Sequence, residues 1–339
     1  MRRLHNSLDA IPEGGMPPPP PSFKVQLSGE GYESIDPMNY FDQSQQISTS
    51  RGNFQIYTGG EFKRVVYLFI HGAGYSSLSF AEVIKVLKQE AYCVAIDLRS
   101  HGKSIEGDLI FQDLTLDINT VIEQLLPNKE QIPLIIFGHS LGGSLATAVE
   151  PQNCKLQGIV LIDISENVAL QSLPNMQIYL KKKPKVVNGP EAYAEWLIRT
   201  NQLLRKESAC IQAQNLVSEG KVITDLSKSE KYWEQWFKGM NERWINRQVW
   251  KMLLVSSMNK LDKDFEIAHM QGKMNVDVIR NCIHNLHEDS PLDFLQVTTR
   301  FLRRLHLSDK LFDREFDFKK PMPEDEKEMT AEEINTILK

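Results

Sequence analysis

The sequence has few cysteines, and the four present (Cys93, Cys154, Cys210, Cys282) fall at no CxxC spacing. Neither a disulfide framework nor a cysteine-built zinc site is suggested, and buried free thiols are expected. No run approaches the ~20 consecutive apolar residues of a membrane span. The cleanest apolar stretches, Val65 to Ile70 and Leu134 to Phe137, are of strand length, so a soluble chain without a membrane partner is expected. Met1-Arg2-Arg3-Leu4-His5-Asn6 lacks the apolar core of a secretory signal, which points to the cytosol or nucleus. A basic excess is also missing. The formal charge is −5 over 339 residues, and residues 309–339 hold ten acids against six bases, so the body is nearly neutral. Nucleic acid is therefore not an expected partner. The one basic cluster, Lys181-Lys182-Lys183-Pro184-Lys185, reads as a solvated surface turn, with a docking patch or nuclear import signal as the alternative.

What is present is an ordinary globular composition, 41% hydrophobic and 24% charged, enough for one large α/β domain or two smaller ones. Residues 1–53 read as an extended arm around the five prolines at 17–21. From about Phe54, strand-length apolar runs alternate with helix-length amphipathic stretches. The runs are Val65 to Ile70, Cys93 to Ile96, Leu134 to Phe137, Gly158 to Ile162, Met252 to Val255 and Val276 to Ile279. Such alternation predicts a mostly parallel central sheet flanked by helices, built from residues 54–165 and 251–306. Between these segments, residues 166–250 carry all five tryptophans and read as an inserted helical cap. Tyr232, Trp233, Trp236 and Phe237 share a helical face, read mainly as cap core and in part as the lining of a pocket or partner groove. Residues 307–339 read as a charged tail, and Thr330-Ala331-Glu332-Glu333 has the spacing of a short capped helix.

The chemistry centres on Gly138-His139-Ser140-Leu141-Gly142-Gly143, where an apolar strand runs into Gly-x-Ser-x-Gly and then a helix. In that context the pentapeptide predicts a strained elbow that lifts the Ser140 hydroxyl above the sheet, with small residues at 138 and 142 so that strand and helix can approach. His71-Gly72-Ala73-Gly74-Tyr75, following Val65 to Ile70, is a small-residue loop suited to an oxyanion hole. The expected donors are the amides of Ala73 and Leu141. A serine nucleophile needs a base oriented by an acid. His284 and His287 compete as base, and His284, nearer the strand end, is the choice. Asn259 occupies the usual acid position after the cap and cannot serve, and Asp262 is displaced from it. Asp163, at the carboxyl end of Gly158 to Ile162, is the choice of acid, although a strand-end Asp can also cap the next helix. Gly102-Lys103-Ser104 does not complete a phosphate loop, because Asp97 stands where that loop needs Gly. His284-x-x-His287 lacks the acidic spacing of a zinc motif. No cofactor or metal is expected.

Taken together, these residues resemble the protein phosphatase methylesterases, α/β-hydrolases that remove a methyl ester from the carboxyl-terminal leucine of the type 2A protein phosphatase catalytic subunit. The resemblance runs from about Phe54 to Leu305. It rests on His71 to Phe80 (His-Gly-Ala-Gly-Tyr-Ser-Ser-Leu-Ser-Phe), Ala95 to Gly102 (Ala-Ile-Asp-Leu-Arg-Ser-His-Gly), Gly138 to Gly143 and Leu161 to Glu166 (Leu-Ile-Asp-Ile-Ser-Glu). Further matches are Glu230 to Gly239 (Glu-Lys-Tyr-Trp-Glu-Gln-Trp-Phe-Lys-Gly), Leu261 to Asp264, Met270 to Lys273 and His287-Glu288-Asp289. The resemblance implies an α/β-hydrolase fold, a catalytic set of Ser140, Asp163 and His284, and the phosphatase catalytic subunit as partner. It also implies that docking completes a site poorly arranged in the free enzyme. Tyr75, Tyr232, Trp233 and Trp236 are the expected substrate-binding residues, and a monomer is expected. The sequence departs from the family at Ile283, where Gly usually precedes the histidine, and at Ala73, where the loop is usually His-Gly-Gly-Gly.

Overall fold

A computed structural model describes residues 27–62, 65–126, 132–305 and 307. The polyproline run and the Thr330 to Glu333 segment lie outside these residues. Among the described residues ten strands form: β1 (Gln43–Thr49), β2 (Gly52–Gly59), β3 (Val66–Ile70), β4 (Tyr92–Ile96), β5 (Pro133–His139), β6 (Lys155–Ile162), β7 (Val217–Ser218), β8 (Lys221–Val222), β9 (Trp250–Val255) and β10 (Asn275–Val278). The helices are α1 (Ala81–Leu87), α2 (Phe111–Leu125), α3 (Leu141–Ala146), α4 (Glu166–Lys182), α5 (Pro190–Arg199), α6 (Lys206–Ala213), α7 (Trp233–Phe237), α8 (Met240–Asn246), α9 (Lys263–Met270), α10 (Leu286–Asp289) and α11 (Pro291–Arg304).

Eight strands make one sheet in the order β1-β2-β4-β3-β5-β6-β9-β10, and β7 pairs with β8 alone. From β4 to β10 the pairing is parallel, whereas β2 runs antiparallel to both neighbours. The central parallel strands are buried on both faces, which is why they read as continuous apolar runs rather than alternating ones. One face packs against α2, α3, α7, α8 and α9, and the other against α1, α10 and α11. Helix α2 shows how the sequence encodes this: Phe111, Leu114, Ile118, Val121 and Ile122 recur at helical spacing and are its buried side. Helices α5 and α6 with β7 enclose a third, smaller core.

The arm expected over residues 1–53 is not what its described part, from residue 27, shows. Residues 43–49 pair with β2 throughout, and Phe41 is buried. Before them, the Gly29 amide donates to Glu195 Oε2 at 2.8 Å and the Tyr40 hydroxyl to Glu207 Oε1 at 2.8 Å, fastening the segment to α5 and α6. Strand β1 escaped notice because an edge strand open to solvent can be polar, and Gln-Ser-Gln-Gln-Ile-Ser-Thr has no apolar run.

The basic cluster is also less uniform than a solvated turn. Lys181, Lys182 and Lys185 are exposed, but Lys183 is buried and donates to the Thr224 carbonyl at 3.2 Å; burial pulls its ammonium down to about 8. All four cysteines are free and buried. Among the described residues no helix is long and apolar enough to cross a membrane, and no cluster of side chains could hold a metal.

Candidate active site

The turn between β5 and α3 is built by close approach. A Cβ on Gly142 would lie 2.1 Å from the Ile70 carbonyl oxygen, and one on Gly138 would lie 2.5 Å from that of Gly142, so neither position admits a side chain. Between them Ser140 is held at φ 52°, ψ −117°, a strained conformation for a side-chain-bearing residue. Its amide donates to the Ile162 carbonyl at 3.1 Å, tying the elbow to the end of β6. One residue further, Asp163 is also left-handed at φ 51°, and its amide reaches the Leu254 carbonyl at 2.7 Å. Strand ends β5 and β6 thus present Ser140 and Asp163 side by side.

Asp163 is 2% exposed. Its Oδ1 accepts from the Ser256 amide at 2.8 Å and the Ser256 hydroxyl at 3.1 Å, while His284 Nδ1 donates to Oδ2 at 2.9 Å. Burial works to raise the Asp163 carboxyl, but the Lys260 ammonium and the His284 hydrogen bond outweigh it and hold the group below the usual carboxylate range. The loop after β10 brings His284 in, and its backbone is held from several sides. Asp289 Oδ2 accepts from the Ile283 amide at 3.1 Å, Lys260 Nζ donates to the Ile283 carbonyl at 2.8 Å, and His139 Nε2 donates to the His284 carbonyl at 3.1 Å. Ile283 is thus held at both its amide and its carbonyl.

Ser140, Asp163, His284, Ala73 and Tyr75 line one cavity of about 50 Å³. No hydrogen bond joins Ser140 Oγ to His284 among the described residues; such contacts often tighten only when substrate is bound. Leu141 is the first residue of α3, so its amide has no partner inside the helix. The loop carrying Ala73 is braced by two buried imidazoles. His71 Nε2 accepts from the Leu98 amide at 3.0 Å while Nδ1 donates to the Gly72 carbonyl at 2.8 Å. His101 Nε2 accepts from the Gly74 amide at 2.9 Å. Burial keeps both rings neutral, pulling them down to about 4 and about 3. Tyr75 also steadies the histidine loop, since its hydroxyl accepts from Asn285 Nδ2 at 2.9 Å.

The competing residues have other places. Asp262 accepts from the Ser165 hydroxyl, the Asn167 amide and Asn241 Nδ2, closing the start of α4. Asn259 is exposed. His287 is fully buried, stacked on Phe80 with ring centroids 4.4 Å apart.

The cap aromatics require a correction. Tyr232, Trp233 and Trp236 lie outside the cavity lining. Trp233 and Trp236 belong to the core beneath the sheet, their indole N–H groups donating to Ser229 Oγ and the Leu109 carbonyl. The cap reaches the cavity instead through α4, with Val168, Ala169, Ser172, Leu173, Met176 and Tyr179, and through Gln202 and Phe237. Val168, Ser172 and Tyr179 lie at helical spacing, but nothing in that spacing separates a helix lining a site from one packing a core.

This architecture has known relatives. A model of the alpha/beta hydrolase family matches residues 67–297, and the chain belongs to that family. Within it, the chain is similar to protein phosphatase methylesterase 1 of Homo sapiens, 28% identical over 323 residues that cover 78% of this chain and 83% of that one. A probable protein phosphatase methylesterase 1 of Caenorhabditis elegans is 28% identical over 88% of this chain and 85% of its own. The protein phosphatase methylesterase 1 of Cryptococcus neoformans is 28% identical over 85% and 74%. The resemblance read from the motifs thus extends to relatives from human, worm and fungus. Among solved structures, E-2-(acetamidomethylene)succinate hydrolase superposes with a TM-score of 0.64 at 19% identity, covering 77% of this chain and 98% of that one. A thermophilic esterase from Thermogutta terrifontis gives 0.56 at 17%, covering 78% and 99%. At these identities the two share the fold alone.

Proposed function

We propose that this chain is a serine carboxylesterase that removes the methyl ester from the carboxyl-terminal leucine of a type 2A protein phosphatase catalytic subunit. The observation that carries the chemistry is the His284 Nδ1 contact to Asp163 Oδ2 at 2.9 Å, beside Ser140 on its strained elbow. The substrate is supported by the similarity to the named methylesterases. Ser140 Oγ attacks the ester carbonyl as His284 Nε2 takes its proton, and the oxyanion is met by the amides of Ala73 and Leu141. The bond to the methoxy oxygen then breaks, and His284 returns the proton to departing methanol. Water, deprotonated by the same imidazole, hydrolyses the acyl-serine and restores the hydroxyl. Asp163 accepts from His284 Nδ1–H throughout and stabilises the imidazolium. A methyl ester offers little surface, so specificity has to come from contacts with the peptide tail and the phosphatase body.

The test is incubation of the purified protein with carboxymethylated phosphatase and measurement of methanol. Release by the wild type, and none by Ser140→Ala, is the expected result. Unchanged demethylation by Ser140→Ala would overturn Ser140 as the nucleophile, and no methanol from the wild type would overturn the reading and leave a non-catalytic, phosphatase-binding role. A second reading, an esterase acting on a small molecule or lipid, draws on the apolar wall of Val168, Leu173, Met176 and Phe237. Faster turnover of short-chain esters than of methylated phosphatase would favour it.

A further inference from the structure

Asp163 Oδ2 accepts from two donors at once. His284 Nδ1 lies at 2.9 Å and Lys260 Nζ at 2.6 Å. Lys260 also donates to the Ile283 carbonyl at 2.8 Å, on the residue immediately before His284. It is only 8% exposed, and an ammonium is costly to bury. The carboxylate does not need it for satisfaction alone, because the Ser256 amide and hydroxyl already occupy Oδ1 and His284 occupies Oδ2.

We propose that Lys260 is a positioning residue for the esterase reaction: it ties the acid to the loop that carries the base, and by sharing Oδ2 it tempers the hold that Asp163 has on His284. The inference rests on the catalytic reading above. The negative charge of Asp163 stabilises the imidazolium, and a cation on the same oxygen cancels part of that stabilisation.

Other ionisable groups also face His284. From β5, the His139 ring lies 4.6 Å away between centroids, and from α10, His287 lies beside His139 at 4.9 Å. Burial holds both neutral, with His287 pulled down to about 3. On α10, Glu288 is pushed well up by burial, and Asp289, which holds the Ile283 amide, is pushed up to about 6. Cys282, raised by burial, precedes them. Asp262 is linked to the Asp163 turn through Ser165. All of these remain when Lys260 alone is replaced, so a difference between variants reads Lys260.

The experiment measures the rate at which a fluorophosphonate labels Ser140 between pH 5 and pH 9 in the full chain, for wild type and for Lys260→Met, Lys260→Gln and Lys260→Arg. An unlabelled wild-type Ser140 would overturn the catalytic reading itself, separately from this inference. Given labelling, Met and Gln are expected to move the midpoint upward by about one pH unit, a loss of roughly tenfold in rate on the acid limb. Arg, which keeps the charge, is expected to leave the midpoint in place. A purely structural role would lower labelling at every pH without moving the midpoint. The proposal falls if the folded Met or Gln variant keeps the wild-type midpoint, if Arg shifts it as far as Met, or if neither neutral variant folds. Gln retains a donor for the Ile283 carbonyl and so guards against loss of the loop.

Discussion

Asp262 Oδ1 accepts the Ser165 hydroxyl at 3.1 Å, which seats one candidate acid against a residue two positions past the other while directing it away from the histidine. Its remaining bonds go to the Asn167 amide and Asn241 Nδ2. The two aspartates should therefore separate by kind of effect. Asp163→Asn is expected to lower kcat by about 10⁴-fold with little change in KM. Asp262→Asn should keep kcat within a few-fold and lose about 1–3 kcal/mol of stability from its unmet donors. Steady-state kinetics and thermal melts on both proteins give the comparison, and equal losses of kcat would refute the assignment of Asp163.

The two histidines separate in the same manner. His284→Ala should abolish turnover. His287 has no hydrogen-bond partner on either ring nitrogen and is stacked on Phe80, so His287→Phe should fold and retain activity. It should also resist acid better. With its folded value near 3, below the unfolded value of about 6.5, His287 contributes stability above that unfolded value and loses it as pH falls through the window. Removing the ring removes the loss, an advantage of order 2 kcal/mol at pH 5. Melting temperatures of the two proteins at pH 7 and pH 5 measure it, and parallel declines would show that His287 is not the responsible group.

What could be read in advance followed from how each residue does its work. Ser140, Asp163 and His284 sit at strand ends, where a local motif or the end of an apolar run marks them, and the structure brings all three to one cavity. The parallel strands were legible because burial on both faces leaves no alternation to misread. Strand β1 was not, because its stability comes from backbone pairing with β2 and its side chains are mostly exposed. Trp233 and Trp236 are core, as their helical face mainly suggested, but that face could not tell core from pocket lining, since it shows only that something apolar is packed against it. Lys260 was invisible, since its partners Asp163 and Ile283 lie 97 residues before it and 23 after it.

The elbow itself can be probed at Gly142. An added methyl group there would stand 2.1 Å from the Ile70 carbonyl oxygen and 2.6 Å from that of His71, both backbone atoms of a buried strand end. Gly142→Ala should therefore cost about 3 kcal/mol or more, because the strand and α3 must move apart. Chemical denaturation would measure the loss. A wild-type midpoint would mean that the approach of α3 to β3 is looser than the contacts imply.

Cavity size supplies a test that bears on specificity. About 50 Å³ beside Ser140 can take a methoxy group but not a long acyl chain, and the wall that closes it is α4, with Leu173 and Met176 among its lining residues. If α4 restricts entry, Met176→Ala should raise turnover of short-chain nitrophenyl esters by about tenfold, the scale on which a pocket discriminates a few methylene groups. The same substitution should do little for a protein ester that gains its binding energy outside the cavity. Comparing kcat/KM for the two substrates in wild type and variant decides the matter. Equal gains on both would mean that α4 limits the chemistry at Ser140 rather than the size of what reaches it.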